Sequence, residues 1–357
     1  MKKVYKKNVI TCIKIFDKLC NRLYCFLMSN RLRNDTPRME DIAKELGLSK
    51  STVSRALSGS GRISFETSRK VRECAEKLGF RPNLVAKALA CQCTMNVAAV
   101  LPLESGVEQM TFFHQCLCGM VNEAAKSGYS VLVSMSDGEN SSLEEIVKNR
   151  KVDAVVLTQL RHQDKNVRFL KENSFPFVVI GSCSDSDVVQ LDSRMVEDCS
   201  RFTVKCAENL AGESSILFVA GKLEVEANNN RLSGFLSGME MLSEKNFRYA
   251  VCSDVSDIKE GCELGEWQLI VCSDDIVCLE VLEILKKNGI CIGRDVKIAS
   301  FHDSFFLEKY EIPVSALRVD SFKLGQKSLE LALDLFNGKN ISCENYIDCS
   351  FQMRSST

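Results

Sequence analysis

Met39-Glu-Asp-Ile-Ala-Lys-Glu-Leu-Gly-Leu-Ser-Lys-Ser-Thr-Val-Ser-Arg-Ala-Leu57 packs two helices and the turn between them into nineteen residues. Met39, Ile42, Ala43 and Leu46 fall at i, i+3, i+4 and i+7, the spacing of one apolar helical stripe. Gly47 ends that helix, because a residue without Cβ takes up a left-handed cap at little cost. Leu48 turns inward, and Ser49 is a suitable N-cap for a second helix from Lys50 to Leu57. In that helix Thr52, Val53, Ala56 and Leu57 hold the apolar side, while Lys50, Ser51, Ser54 and Arg55 point outward. A third helix is predicted from about Glu66 to Leu78, opened by Ser64 and stopped by Gly79, with Arg69, Lys70 and Arg72 able to face phosphate. Two short helices around a tight turn, the second presenting small polar and basic residues at its start, suit reading of a DNA major groove. The competing interpretation is a small three-helix bundle with a solvated polar face.

Charge favours the DNA reading. The 357 residues carry a net charge of only −1, but residues 1–95 hold 20 Lys and Arg against 8 Asp and Glu, whereas residues 96–357 hold 26 against 39. A head of +12 on a body of −13 implies that only the head meets a polyanion. No run reaches the roughly 18 apolar residues of a membrane span. The 18 cysteines are scattered, with no Cys-x-x-Cys pair, and several lie inside apolar runs (Cys252, Cys272, Cys278, Cys291). They read as buried thiols of a protein in the reducing cytoplasm. Cys91-Gln-Cys93 and His114-Gln-Cys116-Leu-Cys118 lack the spacing of a structural zinc site, so no metal is expected. Residues 1–27 are basic and broken by charges, unlike a signal peptide. They read as an unstructured tail, or as a stretch upstream of a working start at Met28; a basic helix on a membrane surface is the other reading.

After residue 95 the pattern changes. Val97–Leu101, Val131–Met135, Ala154–Thr158 and Phe177–Ile180 read as buried strands, separated by helical stretches at 112–127, 141–150 and 164–173. A second set has strands at Ile216–Ala220, Tyr249–Cys252, Leu269–Cys272 and Val296–Ser300, with helices near 228–243 and 275–288. Unbroken apolar strands alternating with helices indicate parallel sheets covered on both faces. Two such sets imply two lobes with a ligand cleft at the carboxyl ends of the strands. A closing helix runs from Ser321 to about Phe336, and no heptad tail follows it.

Residues Glu40 to Leu57, together with Phe80-Arg-Pro-Asn-Leu-Val-Ala-Lys-Ala-Leu89, resemble the head and hinge of the lactose-repressor (LacI/GalR) family of transcriptional regulators. The likeness extends from about Arg38 to Met353. It implies an all-α helix-turn-helix head with a hinge helix, plus an α/β two-lobed effector domain like a periplasmic binding protein, with parallel sheets flanked by helices. The expected divisions are an extension at 1–36, the head at 37–82, the hinge and linker at 83–95, and the effector and dimerisation domain at 96–357. By resemblance, Lys50, Ser51 and Arg55 read bases, and arginine suits the O6 and N7 of guanine. Thr52, Ser64, Thr67 and Asn83 touch phosphates, which orient the protein without reading sequence. Ala86 and Leu89 belong to the minor-groove hinge, Leu89 as the wedge that kinks the operator centre.

In the body, Arg231-Leu-Ser-Gly-Phe235 matches the family's Arg-x-x-Gly-aromatic motif, whose arginine contacts the effector. Asp274-Asp275 matches an element that is usually Asn-Asp, and His302-Asp303 one that is usually Asp-Asp. Phe112 falls on an Asn-Pro-Phe-Phe loop whose Asn-Pro is missing, and the frequent Asp-Arg pair is absent at Gly181-Ser182. The segment Ser256–Gln268 is shorter than the family helix normally found there. Phe112, Arg231, Asp274, Asp275 and His302 are therefore the expected effector contacts, with the identity of the effector altered by these swaps. The implied function is that of a sequence-specific transcriptional repressor. It would act as a homodimer on double-stranded operator DNA, controlled by a small molecule such as a sugar or sugar derivative. The alternative is a ligand-independent architectural DNA-binding protein with a decayed pocket. No Gly-rich phosphate loop, nucleophile elbow or His-rich metal motif points to an enzyme, and no cofactor is expected.

Overall fold

The computed structural model describes residues 37–59, 62–81, 91, 93–103, 110–137, 142–183, 185–211, 213–255, 258 and 264–357. The N-terminal extension, the hinge candidates Asn83, Ala86 and Leu89, and most of the shortened segment after Val255 lie outside these residues. The described residues fall into two compact units, one within 37–81 and the other within 91–357.

The first unit is three helices, α1 (Met39–Leu46), α2 (Lys50–Ser58) and α3 (Phe65–Leu78). Ile42, Ala43, Val53, Ala56, Val71, Cys74 and Ala75 form its core, with Leu46, Leu48 and Leu57 packed against it. Ser49 and Ser64 cap α2 and α3: their hydroxyls accept the backbone N–H of Thr52 and Thr67, each at 3.1 Å. Such a cap contributes about 1 kcal/mol. The helices end at Gly47 and Gly79, with φ of 63° and 67°, where any side chain would be strained.

The second unit runs β1 (Asn96–Pro102), α4 (Met110–Ser127), β2 (Ser130–Ser136), α5 (Leu143–Lys148), β3 (Ala154–Leu157), α6 (Lys165–Glu172), β4 (Phe177–Ile180), β5 (Gln190–Asp192) and α7 (Met195–Ala207). It continues through β6 (Ser215–Val219), α8 (Glu226–Met241), β7 (Arg248–Cys252), β8 (Leu269–Cys272), α9 (Asp275–Lys287), β9 (Lys297–Ser300) and a short α10 (Phe305–Glu308). Last come β10 (Ser315–Val319), α11 (Ser321–Phe336), β11 (Glu344–Tyr346) and β12 (Cys349–Gln352). Two six-stranded sheets result, ordered β11-β5-β4-β3-β1-β2 and β12-β10-β9-β8-β6-β7. Every pairing is parallel except that of β12 with β10. Apolar clusters cover both faces of each sheet, as parallel sheets require.

Among the described residues the expected strands and helices are present, with ends shifted by two residues at most. Val296 lies before β9, in a bridge to Ile292. Thr158 lies beyond β3 and donates its hydroxyl to the Val100 carbonyl at 2.8 Å. Six elements carried no expectation: β5, α7, α10, β10, β11 and β12. Strands such as Gln190-Leu-Asp192 and Glu344-Asn-Tyr346 are too short and polar to show a run. In α7 the buried stripe is Cys199, Phe202 and Cys206, so cysteine carries the helical period.

These elements are what join the lobes. The chain passes from the first lobe to the second after β5, returns after β10, and crosses again between β11 and β12. The first and last crossings are tied together, since the Ile347 N–H donates to the Asp192 carbonyl at 2.9 Å. On its return the chain docks α11 against α4 with backbones nearly touching. A Cβ at Gly325 would sit 1.9 Å from the Cys116 carbonyl oxygen, and one at Gly119 would sit 2.0 Å from that of Phe322.

Candidate nucleic-acid interface and ligand cleft

On α2 the outward side chains are Lys50, Ser51, Ser54 and Arg55, as the periodicity requires, while Val53 and Ala56 are buried. The Lys50 ammonium pairs with Glu40 of α1, and both are more than half exposed. That contact holds the Glu40 carboxyl below its ordinary range. An exposed pair of this kind exchanges readily for another anion or acceptor. Thr52 and Thr67 are half-buried, each within 2.8 Å of its cap hydroxyl, on Ser49 and Ser64 respectively. Both threonines thus sit at helix N-termini, where backbone N–H groups favour a phosphate. On α3, Lys70 and Arg69 pair along the helix with Glu66 and Glu73, while Arg72 is exposed.

In the larger unit, a cavity of about 560 Å³ takes its walls from both lobes and includes all five expected effector residues. The motif at Arg231 explains itself once folded. Phe235 is fully buried and stacks on Phe218 with centroids 4.8 Å apart. Gly234 lets α8 approach α7, since a Cβ there would lie 2.5 Å from that of Cys199. With Gly234 and Phe235 turned inward, Arg231 on the adjacent turn reaches the cleft, its side chain 13% exposed. It donates to Asn228 Oδ1 at 2.8 Å and lies 3.6 Å from Asp274 Oδ2. Its buried Nε–H has no partner among the described residues. A buried donor without an acceptor is costly, so this arginine is suited to a ligand oxygen.

The two adjacent aspartates divide the work. Asp274 Oδ1 caps α9, accepting from the N–H groups of Ile276 and Val277 at 3.1 and 2.9 Å. Asp275, one residue into the helix, pairs with His302 Nδ1 at 3.0 Å. Burial opposes ionisation of Asp275, yet the hydrogen bond and charge of His302, aided by Arg231, hold its carboxyl below the usual range. Across the cleft, the Phe112 ring meets the His302 ring edge-on at 5.4 Å, so an aromatic contact joins the lobes. Asp303, also in the wall, forms a two-pronged pair with Arg354 at 2.7 and 2.8 Å.

Several wall residues carried no expectation. Asp192, at the end of β5, accepts from the Ser182 hydroxyl at 2.7 Å and the Ser193 N–H at 2.8 Å. Burial nevertheless lifts its carboxyl above the ordinary range. Asn228 and Phe305 also line the cavity. Asn228 stands three residues before Arg231, a helical-neighbour signal present in the sequence. Loops from the two lobes also bridge directly: the His162 N–H donates to the Glu224 carbonyl at 3.1 Å, and the Glu226 N–H to Leu160 at 3.3 Å. Among the described residues no three His, Cys, Asp or Glu side chains gather as a metal site, and no helix is long and apolar enough to cross a membrane.

Residues 38–83 match the model of bacterial regulatory proteins of the lacI family, and residues 211–357 that of the periplasmic binding protein-like domain. This chain belongs to the LacI family. It is a DNA-binding transcriptional regulator with a helix-turn-helix head and a periplasmic-binding-protein-like body. The HTH-type transcriptional regulator MalR of Staphylococcus xylosus is 26% identical over 318 residues, spanning 85% of this chain and 92% of MalR. Catabolite control protein A of Staphylococcus aureus strain MRSA252 is 24% identical over 322 residues, spanning 87% and 96%. Among solved structures, the lac repressor dimer bound to operator and the anti-inducer ONPF superposes with a TM-score of 0.68 at 21% identity, covering 90% of this chain and 99% of that one. The complex of the transcriptional regulator CelR with cellobiose gives 0.64 at 20% identity, covering 90% and 100%. At these identities the structural likeness carries the fold.

Proposed function

We propose that this LacI-family protein is a repressor that binds a two-fold operator as a homodimer and changes its affinity when a saccharide occupies the interlobe cleft. In this reading residues 37–82 read DNA, 83–95 act as hinge and linker, and 96–357 bind effector and dimerise. Lys50, Ser51 and Arg55 contact bases. Thr52, Ser64, Thr67 and Asn83 contact phosphates, and Ala86 and Leu89 enter the minor groove. The observation that carries the proposal is the cleft itself. Arg231 and the Asp275–His302 pair on one lobe face Phe112 on the other, so a ligand bound there favours one lobe arrangement over another. A coupling of about 1–3 kcal/mol between cleft and operator changes affinity 5- to 150-fold. The relatives support a saccharide, since the CelR structure is a cellobiose complex.

Selection of bound sequences from random DNA, at two salt concentrations, tests the DNA half. The expected result is a pseudo-palindrome whose affinity falls steeply with salt. Featureless enrichment contradicts it. On the selected operator, Arg55→Ala relaxes preference at one base position, at a cost of about 1–3 kcal/mol. An equal loss on every sequence would remove Arg55 from base reading. Operator binding that ignores every sugar shown to occupy the cleft would favour the ligand-independent architectural protein.

A further inference from the structure

The cavity that holds Phe112, Arg231 and His302 in its wall also reaches Ser304, Phe305 and Glu308. Phe305 is 64% exposed, although Leu307 of the same short helix is completely buried. A phenyl ring in a cavity wall but largely open to water has an unused apolar face, and such faces mark binding surfaces. A pyranose presents a matching face, because alternate axial C–H groups project together from the same side of the ring. The volume of about 560 Å³ falls within the range of pockets that enclose ligands larger than a single ring.

Charge narrows the ligand further. Nine wall residues carry carboxyl groups and four carry a guanidinium or ammonium. Of those cations, Arg231 already faces Asp274, and Arg318 faces Asp303 and Glu308. A phosphate would enter a wall in which carboxyl groups outnumber cations, whereas hydroxyl groups can donate to carboxylates and accept from Arg231.

We propose that the effector is an uncharged saccharide of at least two rings, one ring held at Arg231 beside the Phe112–His302 contact, and an outer ring laid on Phe305. This rests on the saccharide reading above and adds length and charge to it. The test is calorimetric titration of the full chain with glucose, galactose, maltose, cellobiose, lactose, sucrose and glucose 6-phosphate. At least one disaccharide binds about tenfold or more tightly than either monosaccharide, a difference of the size one aromatic contact supplies. Glucose 6-phosphate binds more weakly than glucose. Phe305→Ala removes the disaccharide advantage and leaves monosaccharide affinity within about twofold, while Phe306→Ala, outside the cavity wall, changes neither. A monosaccharide that matches the best disaccharide, an equal loss for both in Phe305→Ala, or tighter binding of the phosphate would each overturn the inference while leaving a sugar-binding cleft. Failure of every sugar to bind would overturn the saccharide reading itself, and this inference with it.

Discussion

The two lobes share one strand order, yet they furnish the cleft differently. Equivalent strands are followed by Thr158-Gln159 and Ser273-Asp274 after β3 and β8, and by Gly181-Ser182 and Phe301-His302 after β4 and β9. The first lobe therefore offers small hydroxyls, the buried Asp192 and the Phe112 ring; the second offers Arg231, Asp274, Asp275 and His302. Duplicated topology fixes where the strand ends meet but not what they carry. In the proposed function the second lobe, which carries most of the charged wall residues, orients a ligand by charge-assisted bonds, and the first supplies mainly shape.

The helix pairs differ too, and there the largest effect is expected. In the first lobe a Cβ at Gly325 would strike a backbone carbonyl at 1.9 Å, whereas at Gly234 in the second its nearest neighbour is the Cys199 Cβ at 2.5 Å. Overpacking usually costs about 1–3 kcal/mol. Gly325→Ala lies at or beyond the top of that range and Gly234→Ala below it, as read by urea unfolding. Equal losses would mean that α11 yields as easily as α8.

Next in size is ligand affinity. Arg231→Ala removes charged hydrogen bonds and weakens effector binding by about 2–3 kcal/mol, roughly 30- to 150-fold. Ser182→Ala removes a neutral hydroxyl, whose proton goes to Asp192, and weakens it by roughly tenfold or less. The reverse order in a titration would put the orienting groups on the wrong lobe.

The smallest effect is a contrast of sign with pH. The native pKa of Asp275 lies below its ordinary 3.8, so its ionised form stabilises the fold above that value, and this is lost as pH falls through the native one. Asp275→Asn should destabilise the protein at neutral pH, with the gap closing in acid. The native pKa of Asp192 lies above 3.8, so its contribution is greatest below that value and fades as pH rises through the native one. Asp192→Asn should stabilise the protein at neutral pH, with the gain vanishing in acid. Denaturant midpoints at both pH values check the pair; shifts of the same sign would show that the two carboxyls sit in equivalent surroundings.

Much of this was legible from residues alone. The head follows from one apolar period, two serine caps and glycine stops, because all its determinants are local. The buried strands announce themselves as Val/Ile/Leu runs, and Arg231 as part of a motif in which Gly234 and Phe235 face the core. What escaped reading is non-local. Asp192 gains its surroundings from Ser182 and from the crossing at Ile347. Phe305 becomes a wall residue only because β9 delivers it to the cleft. The division between Asp274 and Asp275 depends on which of them begins the helix, which pattern alone does not decide.

In the proposed function, occupancy of the cleft and affinity for DNA are coupled in this chain. The most direct measurement is titration of the selected operator with the full-length protein, without sugar and with a saturating amount of whichever sugar calorimetry shows to bind. The expected result is a shift in operator affinity of about 5- to 150-fold. Superimposable curves, with the cleft demonstrably filled, would contradict it.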